Sequence, residues 1–242
     1  MRIFVFKKNS VIKIAICAAI LIGAAAFVIS AVAKNTAPAF GESSENVLTS
    51  IKTDQRTVAL TIDTAFDNDK TKEILDFLKE KNIKATFAVM GLWAEANHDL
   101  VNAMKNDGHQ IISHSMGHIS YLKSDDASIL SDAKTAQQML KQEFGINTKY
   151  IRPPYGTISD PQAKLLISSG FIPVTWSLDM ADWKGDGIQA TSDRLMSGLN
   201  GGDIILMQNN TDDGIGALKK AIDSITGAGY RFVTLDELIA ES

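Results

Sequence analysis

A single cysteine stands among 242 residues, Cys17, and it lies inside an apolar run, so no disulfide can form within the chain. Histidine is almost as scarce. There are four, and two of them, His114 and His118, fall within five residues. No internal repeat is present. Cationic excess is also missing from the bulk of the chain: residues 50–242 carry 19 Lys and Arg against 26 Asp and Glu. An acidic surface of that kind cannot neutralise clustered phosphates, which excludes nucleic acid as a partner. Overall composition is ordinary for a globular protein, 45% hydrophobic and 21% charged, and residues 51–242 are long enough to enclose one core.

Charge disappears altogether from residues 14–33, twenty residues in a row. A helix of that length spans roughly 30 Å, the thickness of a bilayer's hydrocarbon core. Arg2, Lys7, Lys8 and Lys13 precede the run and only Lys34 follows closely. This bias predicts a cytoplasmic segment at 1–13, a transmembrane signal anchor at 14–33 and an exported remainder. The rival expectation is a cleaved signal peptide, since Ala31-Val32-Ala33 fits the small-residue cleavage pattern. Either way the domain faces outward, on the cell membrane as a single-pass protein or secreted. Residues 34–50, small and polar with Pro38 and Gly41, read as a linker.

From residue 51 onward, short β-rich runs alternate with helical patterns. The runs are 58–62, 84–89, 110–113, 149–152, 171–176, 203–207 and 231–234; helical periodicity fills 72–81, 127–144 and 214–226. Asp99 and Asp160-Pro161 read as helix starts, and Gly145, Gly170 and Gly229 as stops. Seven strands interleaved with helices predict an α/β fold with a parallel sheet, either a barrel or an open doubly wound sheet. In both, the C-terminal ends of the strands form one rim, and that rim holds the site. Asp63, His114, Arg152, Asp179, Asp182 and Gln208 all follow strands.

Each of these has a chemical use. His114 and His118, four apart, share one face if the segment winds as a helical turn, and could bind one metal ion. Asp63 could take a proton from water, or merely cap a turn. Asp67 and Asp69 could cap the helix that follows or give an oxygen to a metal. Arg152 stands before Pro153-Pro154, which end the strand, and can clamp a carboxylate with two hydrogen bonds. The turn that follows can aim a backbone N–H at an oxyanion. Trp183, beyond Asp179 and Asp182, is a natural wall for a sugar or an acetyl methyl group.

In their order these residues resemble the polysaccharide deacetylases, the NodB-homology group or carbohydrate esterase family 4. Family motifs of the form T-F-D-D, H-S/T-x-x-H, R-P-P-Y-G, D-x-x-D-W and L-x-H stand here as Thr61-Ile62-Asp63-Thr64, 114–118, 152–156, 179–183 and Leu206-Met207-Gln208. The resemblance covers residues 55–240. It implies a distorted (β/α)7-type barrel and removal of acetyl groups from an N-acetylated glycan, peptidoglycan or chitin-like. It also implies a divalent metal, usually zinc, with cobalt, nickel or manganese as substitutes. Asp63 then matches the catalytic base, Arg152 the group that orients it, His114 and His118 the metal ligands, and Asp182 the acid that pairs with a general-acid histidine. Tyr155 would lend its backbone N–H, and Pro154, Asp179 and Trp183 would face substrate.

Two positions depart from the pattern. Thr64 replaces the second carboxylate, normally a metal ligand, which leaves Asp63, Asp69 or a water to fill the gap. The altered first motif resembles a branch linked to spore-forming bacteria. Gln208 replaces the histidine, and glutamine cannot hand a proton to a leaving amine. The alternative to an enzyme is therefore a glycan-binding relative without turnover, or more remotely an outward-facing metal-binding or structural protein.

Overall fold

The computed structural model describes residues 45–66, 70–211 and 214–241. The apolar run 14–33 and the acids Asp67 and Asp69 lie outside these residues. Among the described residues no helix is long and apolar enough to cross a membrane.

Eight strands form one sheet, and every ladder in it is parallel. They are β1 (Thr57–Thr64), β2 (Thr86–Val89), β3 (Gln110–Ser113), β4 (Tyr150–Ile151), β5 (Ile172–Pro173), β6 (Leu178–Asp179), β7 (Ile204–Gln208) and β8 (Arg231–Val233). Their order is β5-β4-β3-β2-β1-β7-β6, with β8 pairing the opening of β1 at Thr57–Ala59. The helices are α1 (Thr71–Glu80), α2 (Gly91–Ala96), α3 (His98–Asn106), α4 (Asp126–Phe144), α5 (Asp160–Ser168), α6 (Ile188–Gly198), α7 (Gly214–Gly227) and α8 (Leu235–Ala240).

The period-2 alternation of a strand decides what each face carries. Val58, Leu60 and Ile62 of β1 pack with Ile74 and Leu78 of α1 and with Leu218 and Ile222 of α7 in the main core. Ala59 points the other way, into a smaller cluster with Ala88, Ile112, Tyr150, Val174, Ile204 and α8's Leu235 and Leu238. That inner face, continued two residues further, leads from Ile112 to His114 and from Tyr150 to Arg152, and continued four residues further it leads from Ala59 to Asp63 and from Ile204 to Gln208. The polar residues at the rim thus stand on the same face as the small inner cluster, above it.

Two expectations need correction. The run 171–176 is not one strand: β5 stops at Pro173, and after a bend β6 forms separately and pairs with β7 rather than β5. The seven predicted strands become eight, and no ladder joins β5 to β6 among the described residues, so the sheet is open where a full barrel would close. Residues 48–50, read from sequence as linker, occupy that gap. Leu48 bridges Val174 just after β5, and Ser50 bridges Asp203 just before β7. The predicted helix at 127–144 is present, ending with Gly145 in the left-handed conformation (φ 68°). Pro161 is in the first turn of α5, behind a capping box in which Ser159 and Gln162 bond each other's backbone N–H.

Candidate active site

Asp63 sits at the rim end of β1, only 4% exposed. Its Oδ1 accepts a hydrogen bond from Arg152 Nη1 at 2.8 Å, and its Oδ2 lies 3.7 Å from His114 Nε2. Arg152 is fully buried, which would be prohibitive without partners. Besides Asp63 it bonds Thr175 O (3.0 Å) and Val174 O (3.4 Å), and its guanidinium lies 5.5 Å from the Trp176 ring centre. The bend between β5 and β6 therefore has a use: it turns two carbonyls inward, where the guanidinium needs acceptors.

His114 Nδ1 lies 2.9 Å from the carbonyl oxygen of Arg152. A carbonyl only accepts, so Nδ1 carries the proton and the Nε2 lone pair is free to face Asp63 and His118. The Nε2 atoms of His114 and His118 are 3.2 Å apart. Two imidazole nitrogens bound to one tetrahedral zinc at about 2.0–2.1 Å would be roughly 3.3 Å apart, so the spacing fits a shared ion. Burial pushes the His118 imidazole down to about 4, against the pull of Asp63. A neutral imidazole is the form that binds metal.

The pair does not lie on a helical turn, as the spacing had predicted. Ser115 and His118 both adopt left-handed backbone conformations (φ 66° and 55°), and the segment between β3 and the 3-10 turn at Tyr121 is an irregular loop. Each such residue costs about 1–2 kcal/mol relative to an ordinary conformation. The His118 ring is flanked by Phe66 at 4.8 Å and Tyr155 at 4.6 Å, both edge-on and both largely exposed. Sequence reasoning gave Phe66 no role, although it lies in the run 64–71 that follows the altered first motif, because it carries no titratable group.

Tyr155 also has a left-handed backbone (φ 61°), followed by Gly156 (φ 64°). A Cβ on Gly156 would stand 2.2 Å from the Trp176 ring, so the turn tolerates only glycine there. The exposed Tyr155 ring projects beside His118, and Pro154 is buried under the turn.

Across the rim, Asp182 is buried while Trp183 beside it is exposed. Asp182 Oδ2 accepts from Thr211 Oγ1 (2.6 Å) and from the Gln208 backbone N–H (3.3 Å); Oδ1 has no partner among the described residues. Burial raises the Asp182 carboxyl above the usual range, and the Thr211 bond opposes this. Thr211 is thus the side chain that bonds Asp182, and no signal in the sequence marked it. Asp179 Oδ1 accepts from Ala181 N–H (2.7 Å), and burial raises its carboxyl as well. Gln208 stands directly across the ladder from Asp63. Thr64 is buried, its hydroxyl donating to the Ile62 carbonyl at 3.4 Å. Among the described residues no group of three His, Cys, Asp or Glu side chains is placed to hold an ion. Asp69, the expected third donor, lies outside them.

Fold and rim together define a parallel α/β domain with a buried carboxylate held by a guanidinium beside two facing imidazoles. The polysaccharide deacetylase profile matches residues 50–173. A peptidoglycan-N-acetylglucosamine deacetylase of Bacillus cereus is 35% identical over 190 residues, which cover 76% of this chain and 69% of that protein. A solved peptidoglycan N-acetylglucosamine deacetylase superposes with a TM-score of 0.77 at 31% identity, covering 81% of this chain and 94% of that one. A mutant of a family 4 pseudoenzyme with restored enzymatic activity superposes at 0.75, with 25% identity over 80% of this chain and 71% of that one. The chain belongs to the polysaccharide deacetylase family.

Proposed function

We propose that this domain hydrolyses the acetamido C–N bond of N-acetylated sugars in a cell-wall polysaccharide, peptidoglycan first, releasing acetate and leaving a free amine. The observation that carries this reading is the rim cluster itself: Asp63 on Arg152 at 2.8 Å and 3.7 Å from His114, with His118 3.2 Å beyond. A divalent ion, zinc before cobalt, nickel or manganese, would be held by His114 and His118 through Nε2. When bound it supplies Lewis-acid polarisation of the acetyl carbonyl and of water.

The chain's own residues account for the remaining steps. Arg152 engages only Oδ1 of Asp63, which leaves Oδ2, on the imidazole side, to accept a proton from the attacking water. The Tyr155 N–H, which bonds no acceptor among the described residues, donates to the carbonyl oxygen as it gains charge. Trp183 and the Tyr155 ring, both exposed, offer apolar walls for the acetyl methyl and the sugar, with Pro154 and Asp179 shaping the same edge. Gln208 does not titrate, so the departing amine draws its proton from solvent or substrate, at a cost of ~10²–10⁴ in rate.

Thr64 and Gln208 favour a second reading, a family member that binds glycan without turning it over. Acetate release from chitooligosaccharides and peptidoglycan fragments, with zinc or cobalt added, separates the two. The deacetylase reading expects release by the wild type and near loss in Asp63→Asn. Equal, background release by both, with glycan still bound, leaves the binding reading. The charge asymmetry around residues 14–33 supports an anchored domain outside the membrane, or a secreted one if cleavage follows Ala33.

A further inference from the structure

We propose that Asp132, on α4 and outside every motif, is the positioning residue that sets the spacing of the His114 and His118 imidazoles. The inference rests on reading that pair as ligands of a divalent ion. Between the two histidines the backbone turns twice through left-handed conformations, at Ser115 and at His118 itself. Such conformations persist where surrounding contacts over-determine them. Here the contacts come from two other elements, one on each side of the loop.

From one side, the first turn of α2 donates: Gly91 N–H to Ser115 O at 2.9 Å and Leu92 N–H to Met116 O at 3.0 Å. The approach is close, since a Cβ on Gly91 would stand 2.3 Å from Met116 Sδ and 3.2 Å from Met116 Cα. From the other side, Asp132 accepts. Its Oδ2 takes the Met116 N–H at 3.2 Å and its Oδ1 the Gly117 N–H at 3.0 Å. The buried Tyr121 hydroxyl donates to Oδ2 as well, at 3.4 Å. Inside the loop, only the His118 N–H to Ser115 Oγ bond (2.8 Å) adds to these.

The three residues that separate the ligands are therefore held by donors on α2 and an acceptor on α4. The α2 donors are main chain and survive any side-chain change. Asp132 is the removable half of the clamp. A carboxylate is the chemistry this position requires, because two N–H groups meet two different oxygens. An asparagine has one acceptor, and its NH₂ would face an N–H donor. Losing one of the two bonds frees the loop between the histidines and with it the 3.2 Å spacing of their Nε2 atoms.

Zinc titration calorimetry on the purified full chain tests this, with the absorption spectrum of the cobalt-loaded protein as a second readout of ligand geometry. Asp132→Asn, which keeps the shape, is expected to weaken zinc binding about 10-fold or more, within the ~10–100-fold range for residues that hold ligands from behind. Its cobalt spectrum should shift. Tyr121→Phe, which removes only the third bond to the same carboxylate, should lower thermal stability while keeping wild-type zinc affinity. A folded Asp132→Asn chain with unchanged affinity and spectrum overturns the positioning role and leaves the histidine pair standing. Equal loss in Tyr121→Phe and Asp132→Asn also overturns it, since general loosening would then explain both. Wild type that binds no more zinc than His114→Ala overturns the ligand reading itself.

Discussion

Replacing Arg152 with methionine removes the only Lys or Arg paired with the buried Asp63 carboxylate among the described residues. At 2.8 Å and an effective dielectric constant of about 20, the gross attraction is roughly 6 kcal/mol, which desolvation of both groups largely offsets while they remain paired. Removing one partner abolishes the compensation and leaves a buried charge, at about 3–5 kcal/mol. The carbonyls of Val174 and Thr175 lose their donor too, at about 1 kcal/mol each. Arg152→Met should therefore cost about 5–7 kcal/mol, most of the stability of an ordinary domain. Asp63→Asn alone should cost less, because a neutral amide still accepts from the guanidinium. In the double variant the stranded charge is gone and only the orphaned carbonyls remain, so its loss should fall short of the sum of the single losses by at least 2 kcal/mol. Urea unfolding of the four proteins measures this coupling. Losses that add to within about 0.5 kcal/mol would show that the two side chains do not act as a unit, and would refute the clamp.

Gln208→His places a titratable ring across the ladder from Asp63 and next to Asp182, so acetate release per enzyme should rise by ~10-fold or more toward the full general-acid contribution; an unchanged rate would show that proton delivery is not limiting. A second effect concerns acid stability. Burial, and then the charge of Lys84, pushes His109 down to about 4, and its neutral Nδ1 accepts the Ala85 N–H at 3.1 Å. An unfolded histidine titrates near 6.5, so between about 6.5 and 4 the unfolded chain binds a proton that the folded one refuses. Stability contributed by His109 is thus complete above pH ~6.5 and is lost as pH falls toward 4, ~3 kcal/mol in all. Chemical unfolding at pH 7 and pH 4.5 should show a smaller drop for His109→Gln than for wild type, and equal drops would remove His109 from the account.

Much of the site is legible in the sequence, because strand ends announce themselves. An apolar run that stops at a polar residue places that residue on a rim, and a parallel sheet brings all such rims together. Asp63, His114, Arg152, Asp182 and Gln208 reached one edge on that logic alone. Local pattern was weaker where a few residues had to do unusual things. Nothing in 171–176 marked the break between β5 and β6, because the break serves Arg152, whose guanidinium needs the carbonyls of Val174 and Thr175 in the bend beyond the neighbouring strand.

The sequence by itself determined the alternation of strands and helices, the order of the motifs and the two substitutions, Thr64 and Gln208. Those follow from side-chain identity and periodicity, which act over a few residues. Tertiary structure alone decided that the sheet stays open beside β5, that the paired histidines ride a left-handed loop rather than a helix, and that Thr211 answers Asp182. Each of these depends on hydrogen bonds between residues far apart in the chain, such as Asp132 to Gly117 or Arg152 to Thr175, and a periodicity carries no record of such a bond.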